Sequence, residues 1–459
     1  MRITSKTQGI YLARIVSLLA AAAALPAGDQ TSNGYTFKTI AKTGQSEDHV
    51  TFGPYFQPGG INNWGEISFA PSVQPAGESV FLATGQNLNK LRAAGDPLPG
   101  GATFGYTLGP ISMTPGGDTA FISTTLDVPL PYGLNAGVYR TVFGIPFPVP
   151  VILPGVTHAP AGQIFRGAAF NAQSNIRYET VFPGLLCSTA PSSVPSPGKP
   201  PLPNPCDKGK LAFGIYQADL LGRISAVVEP GSPAPGGSTF DYAQVPFNNS
   251  SGDVAFDAHV YGEVCTDYQG QQGARIFCGE SVYLKDGRTG KITSIAHQGQ
   301  PSPVPGKKYQ VAFGPVLNDL GDLAFLADLS TGSGEYAVFL YSHGNTITIA
   351  KPGDSMPGGG VLKQAGGFPH NAYLNNNQEV AFIGTLSDGG QGLYLWKNGT
   401  VRLVARNGTA VDGGGVIANL DDFGAGAAST QIAANDRGQI IFAANLTTGG
   451  GAILTATPR

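Results

Sequence analysis

The sequence offers residue types for three chemistries: a hydrolytic nucleophile, a ring of metal ligands and a thiolate cluster. Gly353-Asp354-Ser355-Met356 sets a serine beside an aspartate. A serine becomes a nucleophile only with a positioned base, and the same loop elsewhere reads Gly95-Asp96-Pro97-Leu98 and Gly231-Ser232-Pro233, so Ser355 reads as part of an ordinary recurring loop. Glu66, Asp118, Glu179, Asp253, Asp322 and Glu379 return at one position after a turn. No copy clusters several oxygen ligands as calcium sites do; these side chains are expected to be solvated at strand entrances, and no metal or cofactor is expected. His49, His158, His259, His297, His343 and His370 stand singly, without the close pairing of a metal site. Gly413-Gly414-Gly415 lacks the helix and lysine of a phosphate cradle. No catalytic residue is assigned.

The elements that would position such residues come from a repeat. Its fullest copy is Asn249-Ser250-Ser251-Gly252-Asp253-Val254-Ala255-Phe256, and variants end at Phe69, Phe121, Phe182, Phe325, Phe382 and Phe442. Successive copies lie 52, 61, 74, 69, 57 and 60 residues apart, room for four short strands each and typical of propeller blades. The Asn-x-x-Gly element suits a tight hairpin, because these residues tolerate positive φ and asparagine can bond nearby backbone. Blade 2 has Thr114-Pro115-Gly116-Gly117 there, and another copy has Asn377-Gln378. Each unit also carries an aromatic-centred run such as Ser281-Val282-Tyr283-Leu284, and an apolar run ending in Gly44, Gly95, Gly155, Gly231, Gly299, Gly353 or Gly408. These runs are rich in β-branched and aromatic residues and bounded by turn formers, so they read as strands.

With the strands of a unit called A to D, the turn joins A to B, the aromatic run is C and the glycine-terminated run is D. The chain then starts with a lone D strand, Tyr35–Gly44, and ends with A, B and C over residues 425–457. Pairing the two incomplete ends removes an exposed strand edge. The predicted fold is all-β, a seven-bladed β-propeller closed by its N-terminal strand. Trp64 and Trp396 are expected to serve packing.

Composition agrees with one globular body: 41% of residues are hydrophobic, only 12% are charged, and 66 Gly with 36 Pro furnish the turns. A basic start, an apolar run from Ile15 to Ala24 and small residues near Ala27 read as a signal peptide over 1–27, with the propeller over 28–459. The apolar run is about half the length a membrane span needs, so no stable membrane insertion is expected after cleavage, and the protein is expected to be secreted or periplasmic. Without the leader's Arg2, Lys6 and Arg14 the chain is acidic and has no basic cluster, a poor candidate for nucleic acid. Insertions at 183–210 and 261–280 are bracketed by Cys187 and Cys206 and by Cys265 and Cys278. Four cysteines allow three pairings. Proximity favours Cys187–Cys206 and Cys265–Cys278, each stapling a loop for about 3 kcal/mol in the chain-entropy model. Metal-type CxxC spacing is missing.

The turn signature resembles the NxxGxxAF repeat of secreted bacterial tandem-repeat proteins, a family with little assigned function. All four specified positions agree at Asn249–Phe256 and Asn318–Phe325, whereas Ser68, Ile441, Tyr178 and Val181 depart from it. The resemblance covers the chain from about Tyr35 onward and implies architecture and export, without supplying a catalytic residue.

In a propeller whose A strands line the channel, the D–A and B–C loops share one face, and loops on a rigid scaffold are where binding concentrates. Glu263, Asp267, Tyr268, Arg275 and Phe277 of the second insertion mix charged and aromatic groups suited to recognition. The expected function is a monomeric secreted binding protein for an extracellular protein or glycan. The alternative is a secreted carbohydrate-active hydrolase or lyase, its site assembled from several blades at the channel mouth. Two or more converging carboxylates at repeat-breaking positions would favour the enzyme.

Overall fold

The computed structural model describes residues 34–74, 77–101, 103–124, 136–186, 212–261, 280–329, 336–366, 372–413, 415–420 and 431–459. These residues form seven antiparallel sheets, each in the order A-B-C-D, and together they make a seven-bladed β-propeller. Blade 1 is Val50–Ile61, Glu66–Val73, Ser79–Thr84 and Asn87–Ala93. Blade 4 is Phe240–Asn248, Val254–Val260, Ser281–Lys285 and Ile292–Ala296. Ring closure follows the orphan-strand argument: Tyr35–Lys42 pairs antiparallel with Gly451–Pro458, from Tyr35 opposite Pro458 to Lys42 opposite Ala452, as strand D of blade 7.

The aromatic residues that marked the repeat build each blade's core. Phe256 of strand B stacks on Tyr283 of strand C at 5.7 Å and 21°, and Phe240 of strand A meets Tyr283 edge-on at 5.1 Å. Phe52, Phe69 and Phe81 repeat the trio in blade 1, and Tyr309, Phe325 and Phe339 in blade 5. All of these rings are essentially inaccessible, so each of these three blades buries three rings, which contribute both apolar area and edge-to-face attraction.

The recurring D–A glycine has a definite task. Gly44, Gly231 and Gly353 take φ of 79°, 86° and 92°, a region that penalises any Cβ. Their N–H groups donate to the carbonyls of Phe52, Phe240 and Leu362, which open the next A strand, at 2.9, 2.7 and 2.8 Å. The polar residue after the glycine clasps the same loop: Lys351 N donates to Asp354 Oδ2 at 2.9 Å, as Ala93 N does to Asp96 at 2.7 Å and Glu229 N to Ser232 Oγ at 3.1 Å. Asp354 is thus a loop clasp, also paired with Lys351 Nζ, and Ser355 follows it in a hairpin bridged to Val361.

Two expectations need correction. The acidic residues after the turn are not solvated: Asp118, Asp322 and Glu379 are buried, and Glu66, Glu179 and Asp253 are partly so. Each of the latter three, with Asp322 and Glu379, instead accepts a bond from the turn asparagine four residues earlier, at 2.7–3.1 Å. Trp64 does not pack; it sits on the A–B turn of blade 1 and is 74% exposed, whereas Trp396 is buried in strand C of blade 6. Strand B of blade 3, Thr180–Leu186, runs through Pro183, so its last four residues overlap the stretch assigned to the first insertion. Residues 1–33, His370 and Cys187, Cys206, Cys265 and Cys278 lie outside the described residues.

Candidate functional site: the central channel

The inner A strands surround a cavity of about 880 Å³ on the ring axis. At one end lie the A–B turns, where the asparagines do more than shape hairpins. Asn249 Oδ1 accepts from Ser251 N and Asp253 N at 3.0 and 2.9 Å, while its Nδ2 donates to Asp253 Oδ2 and to the backbone carbonyl of Asn318 in the next blade. The same inter-blade donation runs from Asn175 to Asn249, Asn318 to Asn375, Asn375 to Asn435 and Asn435 to Asn62, at 2.8–3.1 Å. One asparagine per blade therefore links blades 3, 4, 5, 6, 7 and 1 in order. Thr114 cannot extend the chain from blade 2, having no amide nitrogen to offer. There Arg140, buried in strand C of blade 2, reaches blade 3 instead, donating to the carbonyls of Tyr178, Asp219 and Leu220. Tyr178 OH returns a bond to Asp118 at 3.0 Å.

Farther along the channel the repeat breaks. The residue heading strand C is Ala136, Phe213, Tyr336, Gln391 and Gly451 in five blades but Glu78 in blade 1 and Glu280 in blade 4. Both glutamates are buried; the Glu78 carboxyl faces the A strand of the following blade, and the Glu280 carboxyl faces the A strand of its own. Glu78 accepts from Thr107 N at 2.8 Å and Thr107 Oγ1 at 2.6 Å, and Thr107 Oγ1 lies 3.1 Å from Gln57 Oε1. Burial pushes the Glu78 carboxyl up to about 6, against the lowering effect of the Thr107 bonds.

Glu280 accepts from Gln244 Nε2, and from Tyr242 OH at 3.5 Å. Asp257 lies beside it on strand B and accepts from Gly314 N of blade 5 at 3.0 Å. Burial raises both carboxyls, and the charge of Glu280 raises Asp257 further, so both keep their protons above the usual carboxylate range. His259, two residues along the same strand, is buried with its Nδ1 3.3 Å from Asp241 and its ring stacked on Tyr242 at 5.6 Å.

Three buried oxygens on the cavity wall have no hydrogen-bond partner: Asp257 Oδ1, Asn171 Oδ1 and Asn248 Oδ1. The amide nitrogens of both asparagines are committed, Asn171 to Pro246 O and Asn248 to Glu179 O, each at 2.8 Å. The amide oxygens are therefore the vacant acceptors. All three border strand A of blade 4, alongside Tyr242, Phe247 and Phe313 of the lining. No lysine, arginine or histidine lines the cavity among the described residues; its charged members are Glu78, Asp257, Asp319 and Asp436.

A family of unknown function, DUF7453, matches by its sequence model over residues 207–453, more than half of the chain. The chain belongs to that family. No curated protein matches it in sequence. Among solved structures, the oligogalacturonate lyase of Vibrio parahaemolyticus superposes with a TM-score of 0.50 at 11% identity, over 92% of this chain and 96% of the lyase. A puromycin-hydrolyzing peptidase of Mycobacterium tuberculosis gives 0.49 at 14% identity, over 91% of this chain and 54% of the peptidase. The DUF7453 chain thus spans about half the length of that peptidase. At these identities the likeness is one of fold.

The five residues singled out in the second insertion, Glu263, Asp267, Tyr268, Arg275 and Phe277, lie outside the described residues. Their segment leaves strand B after Tyr261 and returns at Glu280, the buried carboxyl beside the cavity. Sequence reasoning missed Glu78, Asp257 and Glu280. The signal for the two glutamates was present: aligning the seven positions that head strand C shows them as the only acids among small, aromatic and amide residues.

Proposed function

We propose that this DUF7453 protein is an exported binding protein whose central channel captures a small, donor-rich ligand without negative charge. The observation that supports it is the set of three unpartnered buried acceptors on a wall with no cationic side chain among the described residues. A buried acceptor without a partner costs about 1–3 kcal/mol, a penalty that hydroxyl or amino donors of a ligand would remove. Aromatic rings beside a few convergent polar groups are the usual make-up of such a site. A polyanion such as an oligogalacturonate, the substrate class of the Vibrio neighbour, would meet four carboxyl groups and no described cation.

Export rests on the leader-like segment 1–27, and the pairs Cys187–Cys206 and Cys265–Cys278 fit that compartment. Glu263, Asp267, Tyr268, Arg275 and Phe277 of the second insertion are proposed as further contacts to the ligand. N-terminal sequencing of the mature protein should begin near residue 28, and non-reducing peptide mapping should recover both pairs. A glycan and metabolite array on the purified monomer tests the ligand class: neutral or basic compounds should dominate, and acidic glycans as the tightest ligands would reject the reading.

One observation favours a second reading, a hydrolase or lyase. Burial lifts Glu78 to about 6 and Glu280 to about 8 and raises Asp257 as well, so these carboxyls retain the protons a general acid must have to give. Against it, one oxygen of Glu78 is already committed to Thr107 and Glu280 lies behind the cavity wall. Turnover of an array-selected ligand, lost in Glu78→Gln, would decide for catalysis.

A further inference from the structure

The Asp257–Glu280 pair lacks something that buried carboxyls ordinarily possess. Neither side chain is paired with a lysine, arginine or histidine among the described residues; nearby His259 turns its Nδ1 to Asp241 instead. Two buried carboxyls without a cation must either hold protons or receive positive charge from outside. Asp257 is 1% exposed, stands on the cavity wall and keeps Oδ1 vacant. Tyr242, Phe247 and Phe313 line the same stretch, and aromatic faces attract cations.

We infer that the ligand of the channel carries an ammonium group, seated against Asp257 with Glu280 behind it. This rests on the channel-binding reading and narrows its ligand class. The ammonium supplies the missing countercharge and donates to Asp257 Oδ1, while Asn171 Oδ1 and Asn248 Oδ1 accept other donors of the ligand across strand A of blade 4. Entry of the cation displaces a proton from Asp257, so binding releases protons and strengthens as pH rises. The titratable groups around Asp257 are Glu280 on strand C, His259 on strand B, and Asp241 and Tyr242 on strand A; of these, Glu280 bears directly on Asp257.

The test is calorimetry on the full mature protein with matched probes whose amines stay protonated throughout: butylammonium against butanol, and trans-4-aminocyclohexanol against trans-1,4-cyclohexanediol, at about pH 5.5 and pH 8.5 in buffers of different ionisation enthalpy. Each amine should bind at least about tenfold tighter than its neutral partner at the higher pH, with measurable proton release, and Asp257→Asn should erase that preference. Thermal unfolding of Asp257→Asn and Glu280→Gln without probe establishes that the variants fold. Equal binding of amine and neutral partner, binding without proton release, or an amine preference that survives Asp257→Asn overturns the inference. Tight binding of the neutral probes alone would sink the ammonium assignment and leave the channel reading standing; binding of neither series would sink both.

Discussion

Two sets of buried polar groups along the channel are treated in opposite ways. At the A–B turns the amide of each asparagine from Asn175 through Asn249, Asn318, Asn375 and Asn435 is engaged at both atoms, within its own blade and with the next. Along blade 4 the oxygens of Asn171, Asn248 and Asp257 are left over. The first group recurs with the repeat; the second interrupts it. Rigidity is thus written into what the blades share, and chemistry into where they differ. Asn248 and Asn249 are neighbours in sequence and yet fall on opposite sides of this divide.

Substitutions can break the contrast. Arg140 carries the blade 2–3 junction that lacks an asparagine link, so Arg140→Ala should have the largest effect, about 3–5 kcal/mol of lost stability, because several carbonyls lose their charged donor at once. Asn375→Ala follows at about 2–4 kcal/mol, since four hydrogen bonds depend on that amide. Both are read by chemical denaturation, and Arg140→Ala, whose site lies off the cavity lining, should leave ligand affinity in the folded protein unchanged.

The channel wall should answer with the opposite sign. Glu78 is raised to about 6 by burial, so the folded state holds its proton to higher pH than the unfolded chain. Its contribution is fully present below about pH 4.5 and is lost as pH rises through about 6. Glu78→Gln should therefore flatten the stability profile over that window and stabilise the protein at pH 7–8 by about 1–2 kcal/mol. An unchanged profile in equilibrium unfolding would show that Glu78 is not protonated near pH 6. The smallest effect sharpens the comparison: Thr114→Asn would let blade 2 donate to the Asn175 carbonyl, and should raise stability by about 1 kcal/mol. A loss would mean that Pro115 holds that turn away from its neighbour.

The ring was legible in the sequence because its determinants are local. Turn residues and the B and C aromatics act within one blade, the D–A glycine acts across a short loop to the next strand, and the unpaired Tyr35–Gly44 run with the incomplete last unit dictated closure. Asn249 and its counterparts were recognised as turn formers, but their reach to the next blade joins residues 57–74 apart and leaves no mark on local pattern. The same distance hid the acids. Asp253 looked solvated because a charged residue after a turn usually is, until the asparagine four residues earlier claimed it. Asp257 and Glu280 sit on separate strands with an insertion between them, and only strand pairing makes them neighbours.

Closure by the N-terminal strand also orders events in time. Tyr35–Lys42 is among the first parts of the propeller to be synthesised, yet its partner Gly451–Pro458 is the last. Thr455 Oγ1 and the Lys38 carbonyl, 417 residues apart, meet across that pair. Closing a loop of that length costs about 5 kcal/mol in chain entropy, and contacts so distant in sequence slow folding. The strand made first is the last to be seated, and until the final residues are available blade 7 carries an open edge through which two chains could exchange their ends.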